Sequence, residues 1–176
     1  MSREGGRHAD LSTVVETRRG TTTLVLGATS HDAACRRLAR TGQGRAYRLR
    51  MRTAEPDGVE AASTDETYET AVYDDLALPE AGVAVADTTS NLEHDGVTLD
   101  PGQLVVCVDG APLASTRTER QQLFQFLHAV CQRVADADGH LHVHLPVDSQ
   151  SRVATVVSPL FEYVVEAADV DASPDA

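Results

Sequence analysis

The stretch Gln103–Gly110, QLVVCVDG, decides the fold of this chain. Its strand, Gln103–Val108, is uniformly apolar after the first residue, a pattern typical of a strand that is buried on both faces. The Asp109-Gly110 pair then predicts a turn at the carboxyl end of that strand. Strands of this kind occur in parallel sheets covered by helices, so the stretch indicates an α/β protein.

The longest helical pattern follows this strand. Thr116 and Glu119 have the spacing of a capping box, which satisfies the free amide groups at a helix start. The helix predicted from them, Arg117–Ala137, has an apolar stripe made of Leu123, Phe126, Leu127, Val130 and Val134. Gly139 is placed to end this helix. The next predicted strand is His140–Leu145, so strand, helix and strand succeed one another.

Strand and helix patterns alternate through the rest of the chain as well. The other predicted strands are Thr22–Leu26, Arg45–Arg52, Gly82–Asp87 and Phe161–Ala167. Two other elements are predicted as helical: a helix at His31–Arg40 and a short helix or turn at Ser149–Val157. A further helix is predicted between them; it is capped by Ser63–Glu66, runs through Leu76 and is stopped by Pro79. A long polar loop is expected through Asn91, Asp95 and Pro101. This alternation predicts a three-layer α/β fold with a mostly parallel open sheet and right-handed crossovers.

Length and hydropathy predict a single folded domain. The chain has 176 residues, of which 41% are hydrophobic. We expect the domain to span Asp10–Ala167, between a flexible Met1–Ala9 and a flexible acidic tail, Ala168–Ala176. No apolar run approaches the ~20 residues that a membrane span needs, and the polar N-terminus is not a secretory signal. These features predict a cytoplasmic protein without a membrane partner. Buried free thiols are expected at Cys35, Cys107 and Cys131.

Charge is the second informative property of the chain. All fifteen basic residues are arginine, and twenty-seven acids bring the net charge to −12. An acidic, lysine-free, aromatic-poor composition is typical of proteins that work in concentrated salt, which identifies an extreme halophile. The first 52 residues hold eleven arginines against four acids, a net charge of +7, whereas the remainder holds four arginines against twenty-three acids, or −19. The basic segment can therefore bind an anionic partner or pack against the acidic remainder of the chain.

The first strand-turn-helix unit is where a nucleotide-binding α/β protein holds phosphate. Such a loop needs several glycines and a lysine, but Gly27–Asp32 reads GATSHD, with one glycine and no lysine. Asp32 also brings a carboxylate near the helix start, where a phosphate would lie. Phosphate binding of the usual kind is therefore not predicted. Gly27, Ser30 and Asp109 are the degenerate nucleotide-binding positions, and Asp109 can equally be an ordinary turn residue.

Three histidines offer the sharpest hint of a metal. His140, His142 and His144 alternate on one face of the predicted strand, and His142 with His144 could place two imidazoles on one zinc ion. The sequence offers no nearby third ligand, so buried, neutral, hydrogen-bonded histidines are the alternative. No nucleophile elbow of the G-x-S-x-G type occurs, so no catalytic residue is predicted.

The strand Arg45–Arg52 provides the best candidate contact surface. Arg48, Arg50 and Arg52 alternate with apolar residues, so this strand should lie at a sheet edge or have one face open. Nucleic acid is a poor partner for the arginine face, because counterion release contributes little at molar salt and stacking aromatics are scarce. We expect a protein partner or self-association.

The second half of the chain also resembles a known family. QLVVCVDGAPL, LFQFLHAVCQRV, HVHL and SPLFEYVVEA resemble segments of a haloarchaeal family of uncharacterised proteins, itself similar to the RecA/KaiC-type P-loop ATPase core. The resemblance implies that the histidine strand separates the Asp109 strand from the first strand, with the arginine strand toward the edge. It also matches Asp109 to the Walker B aspartate and places Gly27–Asp32 where the Walker A loop belongs.

Together these features predict a non-catalytic, RecA/KaiC-like regulatory or protein-interaction module, in signalling or gene regulation, with no cofactor. Two alternatives stay open at this point. One is a protein that binds a nucleotide through a non-Walker site, and the other is a histidine-ligated metalloprotein.

Overall fold

A computed structural model describes residues 7–8, 20–27, 45–51, 70–76, 78–94, 100–109 and 116–168. Its strands are β1 Arg7–His8, β2 Thr22–Leu26, β3 Arg45–Met51, β4 Thr70–Leu76, β5 Leu104–Asp109, β6 His140–Leu145 and β7 Tyr163–Glu166. Its helices are α1 Leu78–His94, α2 Arg117–Asp136 and α3 Arg152–Val157, and a 3-10 turn follows at Ser158–Leu160.

The strands form one sheet in the order β1-β7-β2-β6-β5-β3-β4. Every neighbouring pair among the described strands is parallel. The prediction of an α/β protein with an open parallel sheet is therefore confirmed. β6, the histidine strand, lies between β2 and β5, the strand that ends at Asp109. The family resemblance implies this order.

The direction of the connections explains where the described helices lie. The chain moves the same way along the sheet from β4 to β5, to β6 and to β7, so right-handed crossovers put α1, α2 and α3 on one face. The core on that face joins strand residues to helix residues such as Val85, Leu127 and Val157. Its strand members are Leu24, Leu26, Leu104, Val106, Val108, Leu141, Val143, Leu145 and Val164.

The opposite face of the central strands is buried as well. Its buried members are Thr23, Val25, Val105, Cys107, His140, His142, His144 and Val165. β5 is thus buried on both faces, as its unbroken apolar run predicts. The predicted helix His31–Arg40 lies outside the described residues.

Both ends of α2 are defined by side-chain and backbone bonds. The Thr116 hydroxyl accepts the Glu119 N–H at 3.2 Å, and the Glu119 carboxylate accepts the Thr116 N–H at 2.9 Å, so the predicted capping box is confirmed. At the other end, the N–H of Gly139 donates to Val134 O at 2.9 Å and that of Asp138 to Ala135 O at 3.0 Å. Asp138 takes the left-handed conformation (φ 50°) usual for glycine.

The prediction of a helix through Leu76 is wrong over the described residues of that segment. Residues Thr70–Leu76 form strand β4, which pairs in parallel with β3. Helical spacing of four apolar positions is weak evidence in a short segment, and the backbone bonds offered by β3 override it. Pro79 does not stop a helix either. It lies in the first turn of α1, where a proline costs no hydrogen bond.

The predicted strand Gly82–Asp87 is also wrong, because these residues lie inside α1, as do residues of the predicted polar loop up to His94. Ala81, Val85 and Thr89 are buried and four residues apart, which is the spacing of a helix face. The run of Val83, Ala84, Val85 and Ala86 suits a strand and a helix equally well, so periodicity in so short a window cannot decide between them.

The ends of the sheet differ slightly from expectation. β1 pairs in parallel with β7, which extends the sheet into the N-terminal segment predicted to be flexible. β7 is shorter than the predicted strand Phe161–Ala167, because Phe161 packs into the core ahead of it. No described helix is both long enough and apolar enough to cross a membrane.

Candidate functional site

The candidate site lies at the carboxyl ends of β2 and β6, which are neighbours in the sheet. From β2 the chain continues to β3 on one side, whereas from β6 it crosses to β7 on the other side. Where connections diverge in this way, a crevice opens above the strand ends, and ligands of open parallel sheets bind there. Gly27 directly follows β2 at this point.

Both peptide groups of Gly27 are used inside the protein. Its N–H donates to Leu145 O at 3.1 Å, and its carbonyl accepts a hydrogen bond from His144 Nε2 at 2.8 Å. Gly27 has a φ of 106°, and a Cβ on it would lie 3.2 Å from the Ala167 Cβ. The left-handed backbone and this close approach explain why glycine occupies the position.

This geometry decides what the end of β2 can do. A phosphate loop works by pointing successive backbone N–H groups at the ligand, but the N–H of Gly27 is already held by Leu145. Ser30 lies outside the described residues. Asp109 ends β5, two strands away from β2, or about 10 Å at normal strand spacing. The structure therefore brings the ends of β2 and β6 together and leaves Asp109 beyond them.

His140 is held in its neutral form at the other end of β6. Its Nδ1 accepts the Thr21 N–H at 3.2 Å and lies 3.0 Å from the Thr21 hydroxyl oxygen. A nitrogen that accepts an amide hydrogen carries none of its own, so the remaining ring proton belongs on Nε2. Burial lowers the pKa of His140 below its usual 6.5, and this also favours the neutral ring.

The other two histidines also contact protein atoms. His144 donates from Nε2 to the Gly27 carbonyl, because a carbonyl can only accept. His142 Nδ1 lies 3.8 Å from the Cys107 sulfur on β5. All three rings are buried. This is the buried, hydrogen-bonded arrangement that the sequence offers as the alternative to zinc ligation by His142 and His144.

Within the described residues, no group of three His, Cys, Asp or Glu side chains could hold a metal ion.

Threonines at the start of β2 and within it lie beside the histidines of β6. Thr23 is in register with His142, and its buried hydroxyl oxygen has no hydrogen-bond partner among the residues that the structure describes. The alternation of Thr21 and Thr23 is the feature of the sequence that indicates this polar row.

The cysteines correct one expectation. Cys107 is disulfide-bonded rather than a free thiol, and the cysteine that completes the bond lies outside the described residues. Cys131 is a buried thiol of α2, as predicted.

The arginine strand is not the edge strand that its alternation predicts, because β4 lies outside β3; it lies toward the edge, as the resemblance implies. In the register of β3 and β5, Arg48 is opposite Cys107 and Arg50 is opposite Asp109. Arg52 and the side chains of β3 lie outside the described residues, so the predicted open face stays a prediction.

A family model matches residues 5–167, from before β1 to just beyond β7. The chain belongs to the family of unknown function DUF7504. No curated protein matches it. The DUF7504 match covers the whole described sheet. The strand order and the two hydrogen bonds of Gly27 at the end of β2 therefore lie within the region that the family model spans.

Proposed function

We propose that this DUF7504 chain is a non-catalytic, RecA/KaiC-like module that acts through protein contacts in regulation. The observation that carries the proposal is the bonding of Gly27. Its N–H and its carbonyl are both occupied, at 3.1 and 2.8 Å, at the point where an ATPase of this type would hold phosphate. The chain also has no lysine with which to neutralise a triphosphate.

The order of the strands supports the RecA/KaiC-like part of the proposal. The succession β7-β2-β6-β5-β3 places the first long strand beside the last, with the histidine strand between it and the Asp109 strand. This is the arrangement that the resemblance implies. The lysine-free acidic composition supports the haloarchaeal part, because carboxylates remain hydrated in concentrated salt.

Charge complementarity favours a second copy or another acidic protein as the partner. The first 52 residues carry +7 and the remainder −19, so a basic surface of one molecule can face an acidic surface of another. We assign the basic contact to Arg48, Arg50 and Arg52 of the arginine strand.

Thermal unfolding in multimolar KCl tests the absence of a ligand. The protein is heated alone and with Mg-ATP, Mg-ADP, a cyclic nucleotide or Zn²⁺, and a ligand that binds only the folded state raises Tm. We expect no shift with any of them. A nucleotide shift lost in Asp109→Ala would establish a non-Walker nucleotide site, and a zinc shift lost in His142→Ala/His144→Ala would establish a metalloprotein.

Light scattering at several salt concentrations tests the contact surface. We expect Arg48→Glu/Arg50→Glu to keep the circular dichroism spectrum of the folded protein and to shift self-association toward the monomer. Arg117→Glu/Arg152→Glu is the matched control, because both arginines begin helices and are exposed, where an acid is tolerated. Equal association of both variants and the wild type would exclude the arginine strand as the contact.

A further inference from the structure

The outer side of α2 lacks acidic residues, although it belongs to the acidic part of the chain. Residues 53–176 hold twenty-three acids, but residues 120–135, which make up most of α2, hold none. Four of the seven glutamines of the chain lie in this stretch instead. With one alanine they form what we call the glutamine face, made of the exposed Gln121, Gln122, Gln125 and Ala129 and the half-buried Gln132.

The glutamine face occupies one side of the helix. At 3.6 residues per turn, its five positions fall within an arc of about 100° on the helix surface. The opposite side of α2, which includes Leu123, Leu127 and Val134, is buried in the core against the sheet. α1 and α3 contact α2 as well, and its crossover from β5 to β6 lies between theirs. The glutamine face is therefore the outward side of the middle helix in this layer.

The chemistry of glutamine suits a contact between two identical surfaces. In a chain with a net charge of −12, exposed carboxylates hold water and repel another copy at close range, and the glutamine face carries none. A glutamine amide both donates and accepts hydrogen bonds, whereas a carboxylate only accepts. Two rows of glutamines can therefore bond to each other, and two rows of glutamates cannot. A contact across a two-fold axis needs this self-complementarity.

We infer that the glutamine face joins two copies of this chain, with the two α2 helices packed antiparallel across a two-fold axis. An axis that passes between Gln125 and Ala129 sets each of these residues against the other on the second copy. The same axis sets Gln122 of one copy against Gln132 of the other. The small Ala129 lets the two helices approach closely, because the distance between helix axes depends on the side chains at the contact.

The inference rests on the proposed function, since it names a partner for a module that acts through protein contacts, but it uses another surface than the arginine strand. A helix of 20 residues is ~30 Å long, so the contact is at the small end of protein interfaces and we expect micromolar dissociation. The glutamine face carries no charge, so this dimer should persist in multimolar KCl, which screens a contact between arginines and acids.

Sedimentation equilibrium in multimolar KCl, from low micromolar to submillimolar protein, tests the dimer. We expect the wild type to pass from the chain mass of 18.8 kDa to twice that mass. Gln122→Glu/Gln132→Glu should stay at the chain mass, because opposed carboxylates cannot donate to each other and would have to lose their water. Ala129→Glu should behave in the same way. Gln150→Glu/Thr155→Glu is the control, because it adds two acids at exposed positions outside α2, and it should dimerise like the wild type.

A wild type that keeps the chain mass at every concentration would overturn the inference, and so would a dimer of unchanged strength in both glutamine-face variants. Arg48→Glu/Arg50→Glu separates this contact from the proposed function. That variant loses only the contact of the arginine strand, so its association should stop at the dimer. If it loses the dimer while Gln122→Glu/Gln132→Glu keeps it, the chain associates through the arginine strand, and the glutamine face is refuted while the proposed function stands.

Discussion

At the scale of single residues, His140 connects the fold to pH. Its Nδ1 accepts the Thr21 N–H, and burial lowers its pKa below 6.5. Between the lowered pKa of the folded protein and the usual pKa of 6.5 in the unfolded chain, the unfolded chain binds a proton that the folded protein does not. Stability therefore falls as the pH drops below about 6.5. We expect the free energy of unfolding to decrease toward acid, with a slope for this residue of at most about 1.4 kcal/mol per pH unit.

Denaturant unfolding of the wild type and of His140→Gln over about pH 5 to 8 measures this contribution. The variant should lose part of the pH dependence, whereas His128→Gln, a change at the exposed ring of α2, should retain it. If His140→Gln and the wild type respond identically to pH, the assigned neutral state of His140 is wrong.

Gly20 is a second residue whose identity the packing requires. A Cβ there would overlap the backbone of Asp138 and Gly139, which can move only by displacing the start of β6. We expect Gly20→Ala to destabilise the protein by roughly 1–3 kcal/mol. In Gly82→Ala the new Cβ meets Phe126 at an ordinary 3.7 Å, inside a helix, so this control should be neutral or stabilising. Thermal unfolding that shows equal effects would contradict the assigned contact.

At the scale of secondary-structure elements, α2 depends on its capping box. Thr116→Ala removes the acceptor of the Glu119 N–H, and we expect a loss of about 1 kcal/mol in unfolding free energy. Thr118→Ala is the control, because Thr118 lies exposed in the first turn. Denaturant unfolding that ranks the two variants equally would show that the cap does not stabilise the helix.

The elements also show how far the sequence could predict the structure. β5, α2 and β6 are each specified by local signals, namely an unbroken apolar run, a capping box and a strict alternation. β4 and α1 are not, because Thr70–Leu76 and Gly82–Asp87 are short apolar segments whose conformation depends on what they pack against. β4 gains its bonds from β3, and α1 buries Ala81 and Val85 against the core.

The candidate site divides in the same way. Burial of His140, His142 and His144 follows from their place on a strand between two other strands, which the family resemblance implies. The use of both peptide groups of Gly27 does not follow from the sequence, because Gly27 and His144 are 117 residues apart. Likewise, the disulfide at Cys107 depends on a distance that no local pattern contains.

At the scale of the whole molecule, an open parallel sheet is combined with hydrogen bonds that occupy both the N–H and the carbonyl of Gly27 at the end of β2. In such a sheet the ligand crevice forms where connections diverge, and here the Gly27 N–H donates to Leu145 O while the Gly27 carbonyl accepts from His144 Nε2. Among the described residues, no group at the end of β2 remains to encircle a triphosphate, and the proposed function gives the sheet the role of a support for contact surfaces.

The amide resonance of Gly27 tests this central claim most directly. In ¹H–¹⁵N spectra recorded in concentrated KCl, the N–H bonded to Leu145 should be protected from hydrogen exchange and should keep its chemical shift during titration with Mg-ATP. A saturable shift of that resonance as ATP is added would show that phosphate binds at the end of β2, and would contradict the account.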